Sequence, residues 1–172
     1  MNTALALNDP VLVLEHVDLY QEQEEVPENF DYYLPLGKAR LAKTGDEATI
    51  ISYLSMVRKT ETALTQIGMS ADLIDLRWLD RASIDWETIG ASIQKTNNVI
   101  IVEQGARGTG YGAWLSDEIQ RRFFDYLDQP VQRVTGKIAS PSISKVLERA
   151  AIAGVEEVVE GLLALRSAKG GK

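Results

Sequence analysis

Cysteine is absent from the 172 residues, which excludes disulfides, thiolate metal sites and cysteine nucleophiles. Histidine occurs once, at His16, and no His/Asp/Glu spacing supplies a recognised set of metal ligands. No window reaches the roughly 18 consecutive apolar residues of a membrane span, so no membrane partner is expected. The amino terminus lacks a basic stretch followed by an apolar one. No secretory leader is therefore expected, and a cytoplasmic location fits. The scarcest feature is positional: from Met1 to Gly37 there is no lysine or arginine. With 18 basic against 25 acidic residues the net charge is −7, the wrong sign for neutralising phosphates, so nucleic acid is not an expected partner.

Eight acids fall in that lead segment, from Asp9 to Asp31, leaving a nearly neutral body behind it. Apolar residues make up 45% of the chain, enough for a buried core. Within the lead, Pro10-Val11-Leu12-Val13-Leu14 reads as a short buried strand. It has no sheet of its own there and needs neighbours from elsewhere. The stretch Gln21–Asn29 is polar and broken by Pro27, a linker by composition.

The body alternates between strand and helix patterns. Ala48–Leu54 is a β-branched apolar run, and Met56, Val57, Thr60, Ala63, Leu64 and Ile67 then keep helical spacing up to a stop at Gly68. Leu73–Leu76 predicts the next strand, and Trp86, Ile89 and Ile93 a helix face after Asp85, a suitable cap. Val99-Ile100-Ile101-Val102 is an uninterrupted apolar quartet, the mark of a strand covered on both faces. A helix around Ala113–Phe124, a shorter strand at Val131–Val134 and a last helix from Val155 follow, with Ser167–Lys172 a fraying tail. This order predicts a three-layer α/β/α sandwich with a mostly parallel sheet.

The strongest chemical candidate runs from Val102 to Ala113, leaving a central strand through a glycine-rich turn into a helix. Open α/β sheets bind ligands there, and backbone amides around Thr109, Gly110 and Gly112 form a candidate anion site. The turn lacks the third glycine of a dinucleotide fingerprint and the lysine of a P-loop. The alternative is close packing of helix on sheet, with Glu103 and Arg107 in an ion pair or subunit contact. His16 is expected to make a structural hydrogen bond or a subunit contact. Asp72, Asp75 and Arg77 are expected to serve edge pairing on a strand, and the Glu22–Glu28 run to be a solvated linker.

Several stretches resemble the beta subunits of thiamine-diphosphate-dependent 2-oxo acid dehydrogenases. They are Asp9-Pro10-Val11, Leu14-Glu15-His16, Pro35–Ala39, Thr49–Tyr53, Val102–Gly105, Thr109–Ala113 and, most specifically, Asp125–Gly136. The resemblance covers about residues 8 to 165. It implies a transketolase C-terminal-domain-like fold over 30–166, preceded at 1–29 by the remnant of a pyrimidine-binding domain and an acidic linker, with 167–172 a disordered tail. It also implies that thiamine diphosphate and magnesium belong to the complete enzyme, with none bound by this chain alone. The family's catalytic, cofactor and metal positions lie outside the chain, so no such residue is assigned here. The implied partners are a dehydrogenase alpha subunit, a second beta subunit and a dihydrolipoyl acyltransferase. Asp125 and Asp128 are the candidates for docking the last, whose subunit-binding domain is usually basic. The family pattern is departed from at Leu54, which stands where glycine is usual, at Arg81-Ala82-Ser83, and at Lys137–Pro141, which keeps one of the usual prolines. A stand-alone anion- or protein-binding adaptor on the same domain is the alternative reading. The apolar lead strand argues against it, since an adaptor has no use for such a strand.

Overall fold

The computed structural model describes residues 1–23, 25, 28–29, 32–138 and 142–169. Five strands form one sheet in the order β1-β3-β2-β4-β5: β1 Arg40–Lys43, β2 Thr49–Ser52, β3 Asp72–Asp75, β4 Val99–Ala106 and β5 Gln132–Gly136. Strands β2 to β5 are mutually parallel, and β1 runs antiparallel along β3. The helices are α1 Asn2–Ala6, α2 Ser55–Ile67, α3 Trp86–Thr96, α4 Tyr111–Phe123, α5 Lys145–Ala151 and α6 Val155–Lys169.

The expected sandwich is present. On one face Met56, Val57, Ala63 and Leu64 of α2 and Val158, Leu162 and Leu165 of α6 pack on Ile50, Leu73, Ile100 and Val102. On the other, Ile89 and Ile93 of α3 and Leu115 and Ile119 of α4 pack on Ile51, Ile74 and Ile101. Because alternate residues of each parallel strand meet opposite helix layers, both faces must be apolar, which is why β2 and the start of β4 are buried throughout. Helix α2 stops where its spacing ends: Gly68 takes the left-handed conformation and its N–H returns to the Leu64 carbonyl. Asp85 caps α3 by accepting from the Thr88 amide.

Three expectations need correction. Residues 10–14 join no strand and are exposed, because the chain offers them no sheet to join. The edge role for Asp72, Asp75 and Arg77 fails because β1 covers β3. Asp72 is buried, accepting from Ser92 Oγ at 2.7 Å, Lys95 Nζ at 2.7 Å and the Gly45 amide at 2.9 Å. Asp75 lies between the guanidinium groups of Arg40 and Arg77, and Arg77 falls just past the strand, with a left-handed backbone. The carboxy-terminal helix continues through Lys169, so 167–169 are helical where an irregular tail was expected; 170–172 lie outside the described residues. So do Glu24, Val26 and Pro27 of the expected linker, Phe30 and Asp31 at the expected domain boundary, and Ala139–Pro141.

Candidate functional site

The chain enters α2 from β2 on one face of the sheet and α4 from β4 on the other, although β2 and β4 are neighbours. Such a reversal opens a crevice at the carboxyl ends of the two strands. It lies between Tyr53 and Leu54 on one side and Glu103 and Gln104 on the other.

Glu103 dominates this crevice. The apolar run of β4 carries it to a fully buried position at the level of the α4 amino terminus. Its Oε2 accepts from the Gly112 amide at 2.9 Å and from the Tyr53 hydroxyl at 3.1 Å, while Oε1 faces Arg133 of β5 at 2.5 Å. A buried carboxylate is tolerated only when paired and hydrogen-bonded, and here three elements supply its partners. The partner guanidinium is that of Arg133, not Arg107, because β5 lies alongside β4 whereas Arg107 stands on the exposed turn. Burial, then the neighbouring Glu103 charge, push the Tyr53 phenol well above its ordinary value. Burial likewise raises Tyr111 to about 12. Both phenols are neutral at pH 7 and can only donate or accept hydrogen bonds.

The glycine turn is built around that carboxylate. A Cβ on Gly112 would stand 2.6 Å from Glu103 Oε1 and 2.9 Å from Ile101 Cγ2. One on Gly110 would stand 2.6 Å from Glu103 Cδ. Of the candidate anion residues, Thr109 is exposed and the Thr109 and Gly110 amides return to the Ala106 carbonyl. The Gly112 amide donates to Glu103, so the helix start holds an anion supplied by its own strand. Next to it, His16 Nε2 lies 2.8 Å from Gln104 Oε1, with the Asp18 amide donating to Nδ1. Since Nδ1 accepts, the proton sits on Nε2 and is donated to Gln104. This is the structural hydrogen bond expected for His16, and it ties the lead to the crevice.

Asp125 and Asp128 are exposed and stand before β5, at the opposite end of the sheet from the glycine turn. Asp125 lies in a single 3-10 turn, and the Asp128 amide donates to the Asn97 carbonyl. Leu54 has φ 53° and ψ −139°, a region that favours glycine. The departure at this position is thus paid for in backbone strain. Sequence reasoning missed Arg133, whose only signal was a charge within a short strand pattern. Among the described residues no group of three or more His, Asp or Glu side chains is placed to hold a metal.

The chain is 32% identical over 168 residues to the pyruvate dehydrogenase E1 component subunit beta of Rhizobium meliloti, covering 96% of this chain and 36% of that protein. The Staphylococcus epidermidis subunit of the same description is 38% identical over 136 residues, 77% of this chain and 41% of that one. The chain thus spans well under half the length of these two relatives. Among solved structures, a chain described as split gene transketolase, inactive beta4 tetramer, superimposes with a TM-score of 0.67 at 23% identity, covering 84% of this chain and 48% of that one. That likeness speaks for the fold. The family described as transketolase, C-terminal domain, matches residues 37–158, the whole sheet with the crevice and the glycine turn, and the chain belongs to that family.

Proposed function

We propose that the chain acts as the C-terminal domain of a pyruvate dehydrogenase-like beta subunit, serving subunit assembly in the oxidative decarboxylation of a 2-oxo acid and supplying no catalytic group itself. The observation that carries this reading is the state of the crevice. Where an open α/β sheet ordinarily receives a ligand, this one holds its own Glu103, clasped by Gly112, Tyr53 and Arg133. A site filled in this way holds elements together. Thiamine diphosphate and magnesium are then bound by other parts of the enzyme, the alpha subunit and the front half of a beta subunit, and a second beta subunit completes the assembly. No described helix is long and apolar enough to cross a membrane, and a cytoplasmic place is part of the proposal. The body from about Gly37 to Arg166 folds on its own. Exposed Asp125 and Asp128 offer charge to a basic acyltransferase domain, where rim charges chiefly speed encounter. Replacing both with asparagine then weakens salt-sensitive binding to a dihydrolipoyl acyltransferase, and unchanged affinity at low salt dismisses the pair.

The test is reconstitution. The alpha subunit and the front half of the beta subunit from Rhizobium meliloti are assayed for pyruvate-dependent reduction of a dye acceptor, with and without this chain. Activity that depends on the chain is expected. Equal rates with and without it overturn the proposal.

A further inference from the structure

Two arginines lie over the tryptophans of α3 and α4. The Arg122 guanidinium stands 4.4 Å from the centroid of the Trp86 ring, and that of Arg81 stands 5.0 Å from the centroid of Trp114. The two indoles adjoin at 6.2 Å, so the four side chains form one ladder. A guanidinium over an indole engages its charge with the ring and leaves N–H donors in need of an acceptor. Arg122 has one: Glu118 Oε2 lies 2.9 Å from both its Nε and a terminal nitrogen. Arg81 has none among the described residues. A second donor beside it is also unmatched. Tyr111 opens α4 with its ring 5.2 Å from that of Trp114, and its hydroxyl is buried without a hydrogen-bond partner. Burial raises the pKa of this phenol, the Arg81 charge lowers it and the Asp80 charge raises it, so the three groups share one neighbourhood. Asp80 does not serve as the acceptor. Its oxygens take the Ser83 hydroxyl at 2.9 Å and the Ala82 amide at 3.4 Å, closing the turn that carries Arg81.

We infer that Arg81, Tyr111 and Trp114 form a binding site for a small monocarboxylic acid. The ladder itself names the missing member: where Arg122 has the Glu118 carboxylate, Arg81 takes one from outside the chain. One carboxylate oxygen accepts from the Arg81 guanidinium and the other from the Tyr111 hydroxyl, which is neutral and able to donate. The half-buried Trp114 indole offers apolar surface to the rest of the acid. Asp80 sets the charge class. Beside that fixed negative charge one guanidinium balances a monoanion, whereas a dianion such as phosphate meets repulsion. The Gly112 amide has no part in the site, since Glu103 occupies it. The site is built on the turn Arg81-Ala82-Ser83, where the sequence departs from the dehydrogenase pattern, and it does not depend on the assembly role proposed above.

The test follows the tryptophan emission of the full chain as propionate is titrated against chloride at matched ionic strength. The expected result is a saturable change in the millimolar range, abolished by Arg81→Gln and at least threefold weaker in Tyr111→Phe. In the chain without propionate, Tyr111→Phe should keep or raise the melting temperature, because the hydroxyl it removes is unsatisfied. A clear fall shows that the hydroxyl already has a partner and overturns the site. No saturable change with propionate, or one that Arg81→Gln leaves intact, overturns the inference. An equal response to phosphate overturns the monocarboxylate class. A response confined to a capped glutamate peptide overturns the free acid in favour of a protein carboxylate.

Discussion

Replacing Gly112 with valine probes the crevice at its tightest point. The added Cβ falls 2.6 Å from Glu103 Oε1 and 2.9 Å from Ile101 Cγ2, where ordinary contacts begin near 3.4 Å. The carboxylate cannot swing away cheaply, because Arg133 and the Tyr53 hydroxyl hold it and the Gly112 amide is its third partner. Gly112 carries no left-handed φ, so dihedral strain contributes nothing. Overpacking costs about 1–3 kcal/mol, and weakening a hydrogen bond to a charged group about 1.5–3 kcal/mol. A few tenths return from valine's better helix propensity. The net loss expected is about 2–6 kcal/mol, read from urea unfolding curves with unchanged slope. Gly108→Ala is the control, since nothing lies within 4 Å of a Cβ there, and it should be nearly neutral. Equal stability of Gly112→Val and Gly108→Ala would refute the reasoning. The same proteins test the candidate anion site at Thr109, Gly110 and Gly112. With the amide occupied by Glu103, phosphate should not raise the melting temperature beyond chloride at matched ionic strength, and a saturable shift specific to phosphate would contradict this.

Arg133→Met should destabilise by about 3–5 kcal/mol by leaving Glu103 buried without its counter-charge, and adding Glu103→Gln should recover part of that loss; additive effects would deny the pairing. Leu54→Gly should stabilise by about 1 kcal/mol by relieving a backbone that leucine tolerates poorly, and a loss of stability would show that its side-chain contacts matter more. Burial pushes the Asp72 carboxyl up, but Lys95, Ser92 and the Gly45 amide outweigh it and hold the group below its ordinary value. A depressed folded-state pKa gives stability that is complete above the unfolded value of about 4 and is lost as pH falls through the folded one. Asp72→Asn should flatten that acid limb of the stability curve, and an unchanged limb counts against the network. Deleting Met1–Asn29 should leave a cooperative unfolding transition, because none of the described lead residues is buried in either apolar cluster of the sandwich. Loss of the transition would place the lead within the core.

The elements read most directly from sequence were those whose signal is local. Spacing from Met56 to Ile67 with Gly68 beyond it marks α2, and the quartet Val99–Val102 marks the centre of the sheet, because burial on both faces leaves no polar position. Strand β1 escaped because Arg-Leu-Ala-Lys carries no β-branched residue and is made a strand by pairing with β3. The same pairing turned the supposed edge at Asp72 into an interior position. Helix α5 escaped because it buries only Ala151 and so has no apolar stripe to display. At the crevice the glycine turn was legible, but Arg133 lies 30 residues from Glu103, and nothing in the spacing joins them. Residues 10–14 show the converse: an apolar run patterned as a strand stays exposed because no described strand lies beside it.

The most direct measurement of the central claim is calorimetric titration of thiamine diphosphate with magnesium, into this chain alone and into its mixture with the alpha subunit and the front half of a beta subunit. A domain that assembles but does not hold the cofactor should give no saturable heat alone and saturable binding in the mixture. Saturable binding by the isolated chain at micromolar cofactor, about −8 kcal/mol, would contradict the account.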